Sequence, residues 1–145
     1  MKAYADTGFL VSVHFPDANS ASAVKRMKRQ ALPLAWTWLH ELEFKNAIRL
    51  KAFRKELDPK EILKVLNGQA ADVSAGVYIP ALPSPVDCAR EAERLSAVFS
   101  PSLGTRSLDI LHVAHALVLG IPEFLTFDKR QAALAKAAGL SVPAL

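Results

Sequence analysis

Cysteine is nearly absent from this sequence of 145 residues: Cys88 stands alone. A lone thiol excludes an internal disulfide and any zinc site built from several cysteines. Long apolar runs are missing as well. The most apolar stretch, Leu108 to Ile121, is interrupted by Asp109, His112, His115 and Gly120. It falls short of the roughly 18 residues that a membrane-spanning helix requires. The opening Met1-Lys2-Ala3-Tyr4-Ala5-Asp6 puts an acid where a secretion signal begins its apolar core. A cytoplasmic protein with no membrane partner is therefore expected. Neither charge is in large excess: 18 Lys and Arg face 14 Asp and Glu, for a net charge of +4. That mildly basic balance permits a nucleic-acid partner without demanding one. There is no internal repeat and no low-complexity tract.

What is present suits one globular domain over residues 1–145. Hydrophobic residues make up 51% of the chain, and a chain of this length buries enough surface to fold without a metal or a disulfide. Short strand patterns alternate with longer helical ones. Strands are expected at residues 2–5, 33–36, 78–79, 123–126 and 140–142. Helices are expected from Thr7, from about Asp17 to Arg29, from Trp38 to Phe53, and from Pro59 to about Ala71. Further helices are expected from Pro85 to about Phe99, from Thr105 or Ser107 to about Gly120, and from Asp128 to Ala138, with a loop over 101–104. This alternation predicts an α/β fold with a mostly parallel sheet, and such sheets place their sites at the carboxyl ends of strands.

Most carboxylates on a small protein are solvated surface groups, but four stand in awkward places. Asp6 and Asp128 lie at strand ends, where each is also a candidate helix cap. Glu43 shares the spacing 39, 42, 43, 46, 47, 50 with apolar residues and Asn46, and a carboxylate on an apolar face is costly unless it is paired or bound to a cation. Asp109 opens the most apolar helix, with His112 three residues on, on the same side. Carboxylates converging in one cleft raise one another's pKa, so at least one should titrate high. On this reading, Glu43→Gln leaves the metal-free fold no less stable. Oxygen donors select Mg²⁺ or Mn²⁺, ions that serve phosphoryl and phosphodiester chemistry.

In these four places the sequence resembles the PIN-domain ribonucleases, in particular the toxin subunits of VapBC-type toxin–antitoxin pairs. Tyr4-Ala5-Asp6-Thr7 resembles the family's opening motif, Glu43-Phe44-Lys45-Asn46-Ala47 its second, Ser107-Leu108-Asp109-Ile110 its third, and Phe124-Leu125-Thr126-Phe127-Asp128 its fourth. The resemblance implies a PIN-like three-layer α/β/α sandwich with a central, mostly parallel sheet. It implies Mg²⁺- or Mn²⁺-dependent cleavage of RNA by a metal-activated water, a homodimer, and a small antitoxin that blocks the site. Carried over, Asp6, Glu43, Asp109 and Asp128 are the metal-binding, catalytic acids. Thr7, Asn46, His112 and Thr126 become their supporting partners. Arg106, Lys129 and Arg130 flank two of the acids and are candidates for phosphate contact. A further basic run, Lys45, Arg49, Lys51, Arg54 and Lys55, reads either as a solvated helix face or as part of an RNA-binding rim. Trp36 and Trp38 point to an apolar dimer patch.

Two other readings stay open. One is a PIN-like RNA-binding or RNA-maturation module with no toxin role. The other is a Mg²⁺-dependent phosphatase-like α/β enzyme, although the second acid its motif needs is replaced by Gly8.

Overall fold

The computed structural model describes residues 3–29 and 33–145; Lys2, expected in the first strand, lies outside them. In chain order the elements are β1 (Ala3–Ala5), α1 (Thr7–His14), α2 (Ser20–Arg29), β2 (Leu34–Trp36), α3 (Trp38–Phe53), α4 (Pro59–Ser74), β3 (Tyr78–Pro80), α5 (Pro85–Leu103), α6 (Ser107–Val118), β4 (Glu123–Leu125) and α7 (Lys129–Ala137).

β1 and β2 are short because nearly every side chain in them is buried, on both faces, which is the signature of parallel strands covered by helices. β1 pairs parallel with β4, setting Tyr4 opposite Phe124. β2 pairs parallel with β3, setting Leu34 opposite Tyr78. β1 lies beside β2, so the two pairs form a central layer. The alternation of strand side chains then divides the core. Tyr4, Ala35 and Phe124 pack with Leu95, Val113 and Leu134 from α5, α6 and α7. Ala3, Ala5, Leu34, Trp36 and Leu125 pack with Phe9, Ala23, Phe44 and Ile48 from α1, α2 and α3. This is the three-layer α/β/α sandwich with a parallel sheet. Among the described residues no helix is long and apolar enough to cross a membrane.

Three expectations need correction. The segment over 101–104 is mostly helix, because α5 runs through Pro101 to Leu103. Proline so near a helix end removes only a terminal hydrogen bond. The helix stops at Gly104, which takes the left-handed conformation (φ 61°, ψ 42°), with its N–H bonded to Ser100 O at 2.9 Å. The expected last strand is reduced to one bridge between Glu123 and Ser141; Pro143 has no N–H with which to extend it. Trp36 is no surface residue: it packs in the core, while Trp38 is exposed.

The two-sided burial has a measurable consequence. Phe124 is fully buried and stacks on Tyr4 with ring centroids 5.7 Å apart. Phe124→Ala is expected to cost about 3–5 kcal/mol in urea unfolding. Leu82→Ala, at a side chain 88% exposed, should stay within about 0.5 kcal/mol.

Candidate active site

Asp6 leaves β1 and caps α1. Its Oδ1 accepts the Phe9 N–H at 2.7 Å, and its Oδ2 accepts the Thr126 hydroxyl at 2.5 Å. Asp6, rather than Thr7, is thus the cap of α1. Only 5% of it is exposed. Burial raises its pKa, against the opposing hydrogen bonds of Thr126 and Phe9, and the nearby Asp109 charge adds little. One acid does titrate high, as the sequence predicts, but desolvation outweighs the crowding of acids as the cause.

Glu43 behaves in the opposite way. Its Oε2 accepts hydrogen bonds from the Thr7 hydroxyl at 3.0 Å and from His112 Nε2 at 2.5 Å. Burial pushes its pKa up, but the hydrogen bond and attraction of His112, the Thr7 hydroxyl and the Arg106 charge together bring it below the ordinary value. Glu43 is therefore a stabilised carboxylate, not a frustrated one. The expectation that Glu43→Gln leaves the fold no less stable is corrected on that ground.

Asp109 and Asp128 share one cation. Neither Thr105 nor Ser107 caps α6; the cap position is Arg106, whose side chain makes no capping bond. It turns instead to Asp109, with Nε to Oδ2 at 2.8 Å, and reaches Asp128 Oδ2 at 3.5 Å from Nη2. Asp128 Oδ1 caps α7 through the Gln131 N–H at 2.9 Å. The Gln131 side chain does not complete a capping box. It turns inward, with Nε2 donating to Asp109 O at 3.3 Å.

Asp6, Glu43, Asp109 and Asp128 line one cleft of about 500 Å³, together with Thr7, Gly8, His112, Arg106 and Gln131. Glu43, Ala47, Leu50, Lys51 and Arg54 of α3 form its opposite wall. The spacing 43, 47, 50 marks this cleft face, whereas the core face of α3 is Leu39, His40, Phe44 and Ile48; Leu42 is 62% exposed. Asn46, expected beside Glu43, is exposed and does not line the cleft. Thr126 lies behind Asp6 rather than in the lining. Lys129 and Arg130 are exposed outside it, and Arg130 Nη1 bonds Gly104 O at 3.5 Å. Lys51 and Arg54 take their place as cleft cations; the basic run contained them, but helical phase alone separates them from Lys45 and Lys55.

The donor set suits a hard divalent ion: oxygen donors only, on four carboxylates, around one cleft. Arg106 supplies a positive charge between two of those acids. Yet among the described residues no three His, Cys, Asp or Glu side chains are gathered tightly enough to hold a metal ion. The acids share a cleft rather than a finished coordination shell, so the fit lies in the chemistry of the donors.

The family model for the PIN domain matches residues 3–137. The chain belongs to the PIN-domain family. FitAcB from Neisseria gonorrhoeae shares the fold at 15% identity, over 97% of this chain and 95% of that one, with a TM-score of 0.66. VapC20 from Mycobacterium tuberculosis shares it at 16% identity, over 90% and 93%, with a TM-score of 0.68. PAE2754 from Pyrobaculum aerophilum shares it at 19% identity, over 98% and 89%, with a TM-score of 0.62. At these identities the likeness is one of fold. No curated protein matches the chain in sequence.

The opposed shifts of Asp6 and Glu43 give this PIN domain opposite pH signatures. The folded-state pKa of Asp6 is raised above 3.8, so ionising it in the folded chain costs stability as pH rises beyond that value. In chelator, Asp6→Asn should equal the wild type below about pH 3.8 and gain about 1 kcal/mol on it by pH 7. The folded-state pKa of Glu43 lies below 4.5, so its contribution is present above 4.5 and is lost as pH falls through the folded value. Glu43→Gln should therefore be less stable by about 1–2 kcal/mol at pH 7, with the deficit closing in acid. Urea unfolding from pH 3 to 7 tests both signs.

Proposed function

We propose that this protein is a metal-dependent endoribonuclease, the toxin of a type II toxin–antitoxin pair, acting as one domain on single-stranded RNA or RNA loops. The observation that carries the reading is the cleft itself: Asp6, Glu43, Asp109 and Asp128 line it, and Lys51, Arg54 and Arg106 edge it with positive charge. Membership of the PIN family supports nuclease activity. The name of one fold neighbour, VapC20, a Sarcin-Ricin loop cleaving toxin, supports the toxin role and an RNA substrate. A small antitoxin that covers the cleft is the matching partner. Exposed Trp38 and Phe53 support a homodimer, and a cytoplasmic site of action suits an RNA substrate.

In this reading the four acids hold Mg²⁺ or Mn²⁺. When bound, the ion supplies Lewis-acid stabilisation of the phosphate and a water of lowered pKa. The chain's own residues orient and charge the site. Asp6 is fixed by Phe9 N and Thr126. Glu43 is aimed by Thr7 and His112. Lys51 and Arg54 attract the RNA backbone, which makes binding salt-dependent. Arg106 is 70% exposed, so it is free to leave the acids for a phosphate oxygen.

Purified protein free of antitoxin should cleave single-stranded RNA with Mg²⁺ or Mn²⁺ and stop in chelator. Asp109→Asn, at a half-buried acid, should lower the rate by orders of magnitude with little change in melting temperature. RNA binding without metal-dependent cleavage would instead establish a binding module. Hydrolysis of a small phosphomonoester with RNA left intact would establish the phosphatase reading.

A further inference from the structure

Behind Glu43 lies a polar chain buried in an otherwise apolar core. Tyr4 is fully buried in β1. Its hydroxyl lies 2.9 Å from His112 Nδ1. The other ring nitrogen, Nε2, lies 2.5 Å from Glu43 Oε2 and 3.1 Å from Thr7 Oγ1. A phenylalanine would fill the Tyr4 site equally well, because the ring already stacks on Phe124. The hydroxyl is thus an added polar group in the core, and such a group is costly unless bonded.

The direction of each bond follows from the chemistry of the partners. An ionised carboxylate only accepts, so His112 Nε2 carries the proton shared with Glu43. In a neutral ring Nδ1 is then bare, and it must accept from the Tyr4 O–H. Burial raises the Tyr4 pKa well above its ordinary value, with the Thr37 hydroxyl opposing that shift; Tyr4 stays a donor across the working range. The His112 ring has little freedom to turn. It packs against His40 at 5.1 Å and edge-on to Tyr4 at 5.7 Å, and is 2% exposed.

We propose that Tyr4 is a positioning residue: it fixes neutral His112 as the Nε2–H tautomer, which aims and holds the Glu43 carboxylate in the cleft. Without the Tyr4 hydroxyl, nothing holds the proton off Nδ1. The Nδ1–H form would point a bare Nε2 lone pair at the carboxylate and release Glu43 from the ring. The importance of Glu43 rests on the nuclease reading above; the tautomer does not.

The test is nitrogen-15 NMR of imidazole-labelled, metal-free protein at pH 8.5, about two units above the ordinary histidine value. The wild type should show His112 with a bare, pyridine-type Nδ1 and a protonated Nε2 whose proton is shifted downfield and protected from exchange. A protonated Nδ1 in the wild type would overturn the proposal without any variant being made. In Tyr4→Phe the Nδ1 signal should move toward the protonated type, and the protected Nε2 proton should be lost. An unchanged His112 spectrum in folded Tyr4→Phe would overturn it as well. In the cleavage assay Tyr4→Phe should act about tenfold more slowly than wild type, the size expected when a buried hydrogen-bond partner behind a ligand is removed. An inactive wild type would refute the nuclease reading alone, and the spectra would still decide the role of Tyr4.

Discussion

The cleft depends on a carboxylate held almost out of water. Asp6 sits where β1 ends and α1 begins, and its backbone N–H completes the pairing with β4 through Leu125 O at 3.0 Å. That register brings Thr126, the residue after β4, against the same carboxylate. The charge is therefore met by fixed dipoles: the Phe9 N–H, the amino end of α1 and the Thr126 hydroxyl. The Thr126 oxygen in turn accepts the Asp128 N–H at 2.9 Å. One hydroxyl thus orients Asp6 and the start of α7, and two of the four acids are tied together through the sheet before any ligand enters.

The remaining acids are neutralised differently, and the difference has chemical meaning. Glu43 is held by side chains packed into the domain, whereas Asp109 and Asp128 face one exposed guanidinium. Fixed dipoles cost no reorganisation when a ligand binds. An exposed arginine is held loosely, because solvent screens its pairing. The cleft therefore has a rigid side, Asp6 and Glu43, and an adaptable side, where a cation or a phosphate can take over from Arg106. Lys51 on the far wall is partly engaged already, since it pairs with Glu56 at 3.2 Å and sits over the Phe15 ring at 3.8 Å. Arg54 is the freer of the two.

Much of this was legible in the residues. The strand–helix alternation gave the α/β class, and strand-end positions isolated Asp6 and Asp128. The awkward acids at 43 and 109 line the same cleft. What misled was phase and partnership. A helix lying between a core and a cleft carries two partly apolar stripes, and the spacing 39, 42, 43, 46, 47, 50 mixes them: Leu39 belongs to the core, Glu43, Ala47 and Leu50 to the cleft wall, and Leu42 and Asn46 to solvent. Flanking charge was an equally poor guide. Lys129 and Arg130 adjoin an acid in sequence but point away from it, because α7 starts there and turns them outward. Tyr4 was invisible as a functional residue, since a tyrosine in a three-residue buried strand reads as core packing.

The same buried histidines that surround Tyr4 also settle where Glu43 stands relative to Asp6. His40, in the first turn of α3, bonds Ala5 O through Nε2 at 2.8 Å, while its Nδ1 accepts the Thr37 N–H at 3.0 Å. Ala5 immediately precedes Asp6, and Glu43 lies three residues beyond His40, about one helical turn on. A single hydrogen bond thus sets the register of α3 against β1. His115, across the core on α6, reaches the Thr37 hydroxyl at 3.2 Å and brings the helix of Asp109 and His112 to the same point. Burial holds His40 well below the ordinary histidine value and His115 down to about 4, so both remain neutral rings at physiological pH. A charged ring there would have to be compensated by the acids themselves. Neutral ones can act as geometry alone, leaving the negative charge of the cleft for whatever binds in it.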